Sequence, residues 1–295
     1  MEHLVSLCAL SGFLVPSCLK IFYQKNKDSI CNIITRAMKE KASTKENWEN
    51  FWKDREDIQE VYSNEDRIYL NLIKITDVNG KTILEVGAGS GRDSFRLAQE
   101  MGIVYVLDYS PQALKIVKNL NVENASRVYL IQGDAFQIPI PDASLDIVFH
   151  QGLMEHFKDP MPLLKEHFRV IKPGGFLLVD VPQKYHAYTV IKQILIFFNK
   201  WFAGWETQFS LPELKKLTKE AGFSVCHQYG RWMRPSLFYR ILRELLKKAN
   251  IKLAHYPKGF KYTRKMRDWL RDKFIAQPWA YYTFLDIGVI GQKKD

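Results

Sequence analysis

Short apolar runs alternate with longer amphipathic segments along most of this chain. Six of these runs have the length and the β-branched content of buried strands, and they cover 82–86, 104–108, 128–135, 177–181, 223–229 and 284–291. A further strand is expected just before Gln151. Segments of helical spacing lie between them, such as 211–221, which Gly222 would end. The alternation predicts an α/β fold with a largely parallel sheet.

The most informative stretch joins the first run to the helix that follows it. It reads Thr82-Ile83-Leu84-Glu85-Val86-Gly87-Ala88-Gly89-Ser90-Gly91, and the residues from Asp93 onward have helical character. Glycines permit the backbone angles of a tight turn and let a ligand approach the main chain closely. Free N–H groups at the start of the helix would point at that ligand. The spacing departs from the Gly-x-Gly-x-x-Gly pattern of nicotinamide-dependent enzymes, which disfavours an oxidoreductase.

Acidic residues accompany the first three strands near their carboxyl ends. Glu85 lies at the end of the first strand, Asp108 ends the second and Asp134 ends the third. Ligands of open parallel sheets bind at this edge. A carboxylate at the second strand can accept hydrogen bonds from both hydroxyls of a ribose, and one at the third can accept the amine of an adenine. Both would repel a pyrophosphate, so the pattern favours a nucleoside ligand without one.

The stretch from Lys81 to Pro182 resembles the class I S-adenosylmethionine-dependent methyltransferases, in particular the subgroup called methyltransferase type 11. The motifs that carry the resemblance are ILEVGAGSG (83–91), LDYS (107–110), GDA (133–135), IPIPDASLDIV (138–148), GLMEH (152–156) and RVIKPGG (169–175). The family implies a Rossmann-like, mostly parallel seven-stranded sheet flanked by helices, with S-adenosylmethionine as cofactor. It also implies an antiparallel last strand beside the fifth, with helical inserts after strand 5 and between strands 6 and 7.

The resemblance further implies which residues bind the cofactor. Glycines of the first turn would line its methionine end, Asp108 would hold the ribose, Asp134 would meet the adenine, and Gln151 would reach the methionine moiety. The full expected set is Glu85, Gly87, Ala88, Gly89, Gly91, Asp108, Tyr109, Asp134, Ala135 and Gln151. No metal site is expected.

A general base is needed only if the acceptor is a hydroxyl or a protonated amine, and histidine suits that role at neutral pH. His150 and His156 follow the fourth strand and His186 follows the fifth, on loops that border the methyl-transfer position in the resembling family. All three are candidates, with Tyr185 and Tyr188 as weaker ones. The alternative for His156 is a structural role in fixing its own loop.

Composition and patterning divide the chain into six expected regions. Near its start the sequence contains an apolar stretch, Leu4–Val15. This stretch is too short to span a bilayer and lacks the basic start of a secretory signal. We expect it to pack on the domain or lie on a membrane surface. After Lys41, aromatic and aliphatic residues at helical spacing predict a helix face packed on the fold: Trp48, Phe51, Trp52, Ile58 and Val61. The regions are an N-terminal segment (1–45), the cofactor-binding core (46–183), an apolar cap insert (184–210), a continuation of the core (211–230), a basic helical insert (231–282) and the last strand (283–295).

The two inserts are where substrate choice is expected, because specificity resides in loops on a rigid scaffold. Apolar residues nearly encircle a helix over 190–202, which is typical of a buried cap helix or one that contacts a membrane. Between Arg231 and Lys273 there are fourteen Lys and Arg against three acids, a balance of +11 that equals the net charge of the whole chain. Aromatic residues are interleaved, and the pattern over 235–248 predicts a basic amphipathic helix.

Three interpretations of the basic insert stay open: a solvated helix face, an anionic membrane surface or lipid-like acceptor, and nucleic acid. Nucleic acid is the least favoured because no recognised RNA-binding module is visible. The four scattered cysteines, Cys8, Cys18, Cys31 and Cys226, indicate reduced thiols and a cytoplasmic protein, peripheral at the inner face of a membrane if the lipid interpretation holds. The sequence thus predicts a methyltransferase for a small-molecule or lipid-like acceptor. The alternatives are an RNA methyltransferase and a non-catalytic binding protein of the same fold.

Overall fold

A computed structural model describes residues 43–53, 66–123, 128–257, 264–275 and 277–294. The helices there are α1 (Lys45–Lys53), α2 (Arg67–Leu72), α3 (Arg92–Gln99), α4 (Pro111–Glu123), α5 (Met161–Val170), α6 (Ala187–Phe197), α7 (Leu211–Glu220), α8 (Leu237–Lys248) and α9 (Arg264–Ile275). The strands are β1 (Thr82–Val86), β2 (Ile103–Asp108), β3 (Val128–Gln132), β4 (Leu145–Gln151), β5 (Ile171–Pro182), β6 (Phe223–Arg231) and β7 (Asp286–Lys293). Short 3₁₀ turns cover Met154–His156 and Pro278–Tyr282.

The seven strands form one sheet in the order β3-β2-β1-β4-β5-β7-β6. The first five are parallel, whereas β7 runs antiparallel to both β5 and β6. This confirms the predicted Rossmann-like sheet and its antiparallel strand beside β5. The last strand begins at Asp286 rather than at Phe284. Phe284 is instead fully buried at the end of the preceding turn, between the rings of Trp232 and Tyr281.

Both faces of the sheet are covered, which explains why its strands read as continuous apolar runs. Leu84 and Val148 belong to a core cluster on one face, and Ile83 and Ile147 belong to a second cluster on the other. All four side chains are essentially inaccessible to solvent. Burial of this kind contributes about 1.5–3 kcal/mol per large aliphatic side chain, so the sheet is a rigid platform for the loops at its ends.

The topology brings both inserts to one edge of the sheet. Because β7 is antiparallel to both β5 and β6, these two strands run in the same direction. Their carboxyl ends, Pro182 and Arg231, therefore lie at the edge where β1 ends in the glycine turn. The cap insert (184–210) and the basic insert (231–282) leave the sheet from these two ends. Each is thus attached at the edge where ligands of this fold class bind.

The cap insert contains a shorter helix than its pattern suggested. The apolar pattern continues to Phe202, but α6 ends at Phe197. Asn199 has a positive φ of 54°, which is incompatible with a continued right-handed helix. In the basic insert, α8 begins after Ser236, whose hydroxyl accepts a hydrogen bond from the Tyr239 N–H as an N-cap.

Several expectations for the N-terminal part lie outside the described residues. These are the apolar stretch from Leu4 to Val15 and two members of the aromatic and aliphatic stripe after Lys41, Ile58 and Val61. The rest of that stripe forms one face of α1. Within the described ranges, none of the helices combines the length and the apolarity needed to cross a bilayer.

Candidate active site

A cavity of about 660 Å³ opens at the carboxyl edge of the sheet. The ends of β1, β2 and β4 form its floor, and α1 forms its opposite wall. It lies at the switch point of the strand order, between β1 and β4, where ligands of such sheets bind. The predicted residues that line it are Glu85, Gly87, Ala88, Gly89, Asp108, Tyr109, Asp134, Ala135, Gln151 and His156. Gly91, His150 and His186 are not among its lining residues.

The glycine turn after β1 is shaped by backbone angles that only glycine adopts readily. Gly87 and Gly89 have φ of 65° and 51°. A Cβ on Gly89 would lie 2.5 Å from the ring of Trp52, which belongs to α1. Gly91 also has a positive φ, 64°, and precedes α3 as its N-cap. The turn therefore presents bare backbone to the cavity and directs a helix N-terminus at it.

Asp108 ends β2 with its carboxylate buried at the cavity wall. One oxygen accepts a hydrogen bond from Gly89 N at 3.1 Å and the other from Ser110 N at 2.9 Å. Burial raises the pKa of this carboxyl above its usual range, and the two backbone donors counteract that rise. These donors fix the orientation of the side chain while each oxygen keeps a lone pair for a ligand. Next to it, the Tyr109 hydroxyl donates to the backbone carbonyl of Lys45 in α1 at 3.1 Å.

Asp134 and Ala135 lie on the turn after β3. Since β3 ends at Gln132, the acid is carried by the turn and not by the strand. Its Oδ1 accepts a hydrogen bond from Phe136 N at 2.9 Å. The side chain is exposed, so a ligand could reach its other oxygen. The neighbouring wall is apolar, because Phe136 packs edge-on against Phe157 with 4.7 Å between ring centroids.

Glu85 and Asp93 form a buried acidic pair beneath the glycine turn. Ser94 Oγ donates to Glu85 Oε2 at 2.5 Å. Burial, reinforced by the negative charge of Asp93, raises the pKa of Glu85 to about 8. Glu85 is therefore mostly protonated at neutral pH and can donate a hydrogen bond. Glu85 therefore lines the cavity as a polar side chain that carries little negative charge.

Gln151 is held by a network that the sequence did not reveal. Its amide nitrogen donates to Asp93 Oδ2 at 2.6 Å, and its oxygen accepts from Arg67 at 3.2 Å. Arg67 also forms buried ion pairs with Asp180, at 2.6 Å, and with Asp286. The network therefore ties the cavity floor to α2 and to the ends of β5 and β7. Gln151 is the last residue of β4 and not a residue beyond it.

The three predicted histidines lie in different environments. His150 is fully buried, and its ring centroid is 5.3 Å from that of His167 in α5. Burial lowers the pKa of His150 well below its usual value. His186 is the N-cap of α6, where its Nδ1 accepts from Tyr188 N at 3.2 Å. The structure thus brings only His156, of these three, to the cavity.

His156 lies in the 3₁₀ turn after β4 and packs edge-on against Trp48 of α1, with 4.7 Å between ring centroids. Burial lowers its pKa to about 4, so the imidazole is neutral at pH 7. Its Nδ1 has no hydrogen-bond partner among the residues that the structure describes. A neutral imidazole carries one nitrogen that can accept a proton, and Nδ1 is shielded from solvent in this structure.

Helix α1 closes the cavity with aromatic rings. Trp48, Phe51 and Trp52 all line it. Phe51 stacks on Phe202 of the cap insert with 4.6 Å between centroids, and Asn47 Nδ2 donates to the Phe202 carbonyl at 2.9 Å. The stripe predicted from the sequence as a packed helix face is therefore also the apolar wall of the site.

The arrangement fits a nucleoside with an amino-acid tail. The glycine turn leaves backbone exposed where a Cβ would collide, Asp108 and Asp134 present hydrogen-bond acceptors, and the wall beside Asp134 is flat and apolar. The carboxylates of Asp108 and Asp134 would repel a pyrophosphate bound beside them. The chemistry of the cavity therefore matches S-adenosylmethionine better than a dinucleotide.

Comparisons with known proteins agree with this geometry. A family model described as "Methyltransferase domain" matches residues 84–179. The demethylmenaquinone methyltransferase of Listeria monocytogenes serotype 4b (strain CLIP80459) is 31% identical over 172 residues, which cover 49% of this chain and 70% of that protein.

Solved structures share the fold at lower identity. A structure of the Haloferax volcanii Trm112 methyltransferase activator in complex with a methyltransferase matches with a TM-score of 0.57 and 18% identity, over 84% of this chain and 98% of that one. The [4+2]-cyclase SpnF matches with a TM-score of 0.53 and 20% identity, over 78% and 80%. Because one of these proteins is a cyclase, the fold by itself does not define the reaction.

Proposed function

Because the chain belongs to the class I S-adenosylmethionine-dependent methyltransferases, we propose that it methylates a hydroxyl or amine of an apolar, lipid-like acceptor at an anionic membrane surface. The enzyme is a methyltransferase, and S-adenosylmethionine is its cofactor. The observation that carries the proposal is the orientation of α6, which turns its apolar face to solvent and its only charged side chain, Lys192, to the interior.

Within the cavity, we assign the cofactor to the side formed by the strand ends. The exposed backbone at Gly87 and Gly89 would take the methionine end together with Gln151. Asp108 would accept hydrogen bonds from the ribose, and Asp134 from the adenine. When bound, the cofactor supplies a methyl group activated on a sulfonium, so the protein's own part is to orient the acceptor and exclude water.

The acceptor would occupy the aromatic side of the same cavity. Trp48, Phe51 and Phe157 line it there, and rings of this kind favour a flat, apolar molecule. His156 lies in this wall and is the proposed general base. Its neutral ring would take the proton of an acceptor hydroxyl as the new bond to carbon forms. A relative that acts on demethylmenaquinone, as its name states, supports a ring-bearing lipid as the acceptor.

The surface around the inserts supports a membrane as the source of such an acceptor. Along α6 the exposed apolar residues follow helical spacing: Val190, Ile191, Ile194, Phe197 and Phe198 are 40–70% exposed. A soluble helix normally shows the opposite pattern. An exposed apolar stripe of this size marks a surface that contacts a protein or a membrane.

Helix α8 repeats this pattern and adds positive charge. No residue of α8 is buried, and its exposed apolar stripe consists of Phe238, Ile241 and Leu245, which are 75%, 49% and 58% exposed. Lys247 and Lys248 end the helix within an insert of strongly positive balance. Each basic residue near an anionic leaflet contributes about 1 kcal/mol of attraction. The positive charge supports an anionic bilayer as the proposed contact of this apolar surface.

Methyl transfer into separated cell fractions tests the acceptor. The full chain would be incubated with S-adenosylmethionine carrying a labelled methyl group and with lipid, RNA, protein and small-molecule pools. Label in the lipid pool, lost in His156→Asn, is expected. Label in RNA alone would contradict the proposal and favour an RNA methyltransferase.

Vesicle flotation tests the surface. Recovery with anionic vesicles at low salt should exceed recovery with neutral ones, and Phe197→Gln should reduce it. Met101→Gln is the matched control, because Met101 is also 70% exposed but precedes β2 at the opposite edge of the sheet. Equal recovery with both kinds of vesicle, or equal losses for both variants, would refute the membrane surface.

A further inference from the structure

A second cavity, of about 800 Å³, lies between α7 and the end of the basic insert. Residues of α7 form one wall, and Ile275 of α9 together with the 3₁₀ turn Pro278–Tyr282 forms the opposite one. The described residues that line it are all different from those that line the candidate active site. Its volume falls within the range of sites that bind small molecules, so it is a separate place for a ligand.

The wall formed by α7 is basic. Lys215, Lys216 and Lys219 line it, and Glu220 is the only acid among the described lining residues. Glu220 is already engaged by Lys216, one turn away on the same helix at 3.7 Å. Lys215 and Lys219 are also one turn apart, and neither forms an ion pair with a carboxylate of the described residues. The cavity therefore has positive charge that is not neutralised within its own walls.

Lys215 is half-buried beside the edge strand β6. Its Nζ donates to Gln228 Oε1 at 3.0 Å. The bond fixes the orientation of the amide and leaves the N–H₂ group of Gln228 as a further donor in the cavity wall. A half-buried ammonium with a neutral partner loses part of its hydration without gaining an opposite charge. A bound anion would provide that charge.

The opposite wall is apolar and fixed to the core. Ile275 and Tyr282 line it and are 38% and 55% exposed. The turn that carries Tyr282 is attached to the end of the sheet, because Gln183 Nε2 donates to the Tyr281 carbonyl at 2.8 Å. A ring or a short chain can pack on this wall while a charged group on the same molecule reaches the lysines of α7.

We propose that this cavity binds a phosphate ester that carries an apolar group: the phosphate contacts Lys215 and Lys219, and the apolar group packs on Ile275 and Tyr282. Lysine binds phosphate as a point charge, whereas the planar fork of arginine suits a bidentate carboxylate. The described lining residues include no arginine. The occupant would join α7 to the end of the basic insert. The site goes beyond the proposed function and does not depend on the methyl acceptor.

Calorimetry with the full chain and three soluble probes tests the ligand class. The probes are 1,2-dihexanoyl phosphatidate as a lipid, phenyl phosphate as a soluble ester, and inorganic phosphate without an apolar group. At least one ester should bind at least about tenfold more tightly than inorganic phosphate, since about two buried CH₂ groups already have that effect. The tighter of the two esters identifies a lipid or a soluble molecule as the source. Equal affinity for all three probes, or no binding of either ester, would overturn the proposal.

Substitutions that each remove one positive charge locate the site. Lys215→Gln should weaken binding of the tighter ester at least about tenfold, the size of one hydrogen bond to a charged group. Lys219→Gln should weaken it by about twofold to fivefold, because an exposed ion pair contributes less. Lys165→Gln is the matched control, since Lys165 is an exposed lysine of α5 that does not line the cavity, and it should bind as wild type does.

Two further variants separate charge from packing. Lys215→Arg keeps the charge and should bind the ester more tightly than Lys215→Gln does. Ile275→Asn should weaken binding of the ester and leave the affinity for inorganic phosphate unchanged. If Lys215→Gln loses no affinity, or loses only as much as Lys165→Gln, the ester binds elsewhere and the proposal is overturned.

Discussion

A buried pair of histidines makes the stability of this protein depend on pH in a way that can be calculated. His167 is inaccessible to solvent, and burial lowers its pKa to about 3. In the unfolded chain a histidine has a pKa of about 6.5. The unfolded state therefore takes up a proton at a higher pH than the folded state. Stability is unaffected above pH 6.5 and falls as the pH decreases from there toward 3.

Between the two pKa values, the free energy of unfolding falls by about 1.4 kcal/mol for each pH unit below the unfolded pKa. At pH 5, His167 alone should therefore reduce the free energy of unfolding by about 2 kcal/mol relative to pH 7.5. Buried carboxyls such as Glu85 and Glu155, with pKa values raised to about 8, act in the opposite direction. Only the difference between wild type and a His167 variant isolates the histidine.

Urea denaturation at a series of pH values between 5 and 7.5 measures that difference. His167→Leu and His167→Gln both remove the titrating group, but they differ in polarity and packing. Both should lose about 2 kcal/mol less than wild type over this pH range, whatever their stability at pH 7.5. If the loss is the same in wild type and in both variants, His167 is not held neutral in the folded protein.

Three further predictions concern the cavity and its support. Asp108→Ala should weaken binding of S-adenosylhomocysteine by about 1.5–3 kcal/mol in calorimetry. Wild type should bind S-adenosylhomocysteine more tightly than its 2′,3′-dideoxy analogue, whereas Asp108→Ala should bind the two equally. If the variant keeps the full preference for S-adenosylhomocysteine, Asp108 does not contact the ribose. Gly89→Ala should weaken binding of S-adenosylhomocysteine at least about tenfold, the size of one lost hydrogen bond. Adding Trp52→Ala to that variant should restore part of the affinity. If it restores none, backbone strain and not the Trp52 ring is the cause. Arg67→Met should reduce the free energy of unfolding by about 3–5 kcal/mol in the same urea assay, because it leaves buried carboxylates unpaired. Arg67→Lys keeps the charge and should reduce it less. Equal losses in the two variants would show that charge pairing does not stabilise this network.

The sheet and the glycine turn could be predicted because their signals are local. A strand buried on both faces needs an apolar run, and the turn after β1 needs glycines wherever φ is positive. Those requirements act within ten residues and leave a pattern in the sequence. The network around Gln151 leaves none. Its members Arg67, Asp180 and Asp286 are separated from one another by 113 and 106 residues. Both acids interrupt apolar strand runs, but nothing near them in the sequence identifies Arg67 as their partner.

The positions of His150 and His156 relative to the end of β4 explain why only one of them reaches the cavity. Successive side chains of β4 point to opposite faces, so a histidine within the strand is directed into one of two covered layers. His150 meets that condition and packs against α5. His156 lies five residues beyond the end of the strand, where the chain is free to turn toward the cavity. The prediction that His150 follows the fourth strand was wrong, because the end of that strand was set too early, whereas His156 does follow it.

The direction in which α6 faces was not predictable from its own pattern. Periodicity reveals an apolar stripe, but it does not say whether that stripe faces the protein or the solvent. The outcome depends on Lys192, which needs a buried partner, and that partner, Glu206, lies in a loop of the same insert. The cap insert thus contains both halves of its ion pair. Because Lys192 and Glu206 both lie within the cap insert, substitutions on the outer face of α6 need not disturb the pair that directs Lys192 inward.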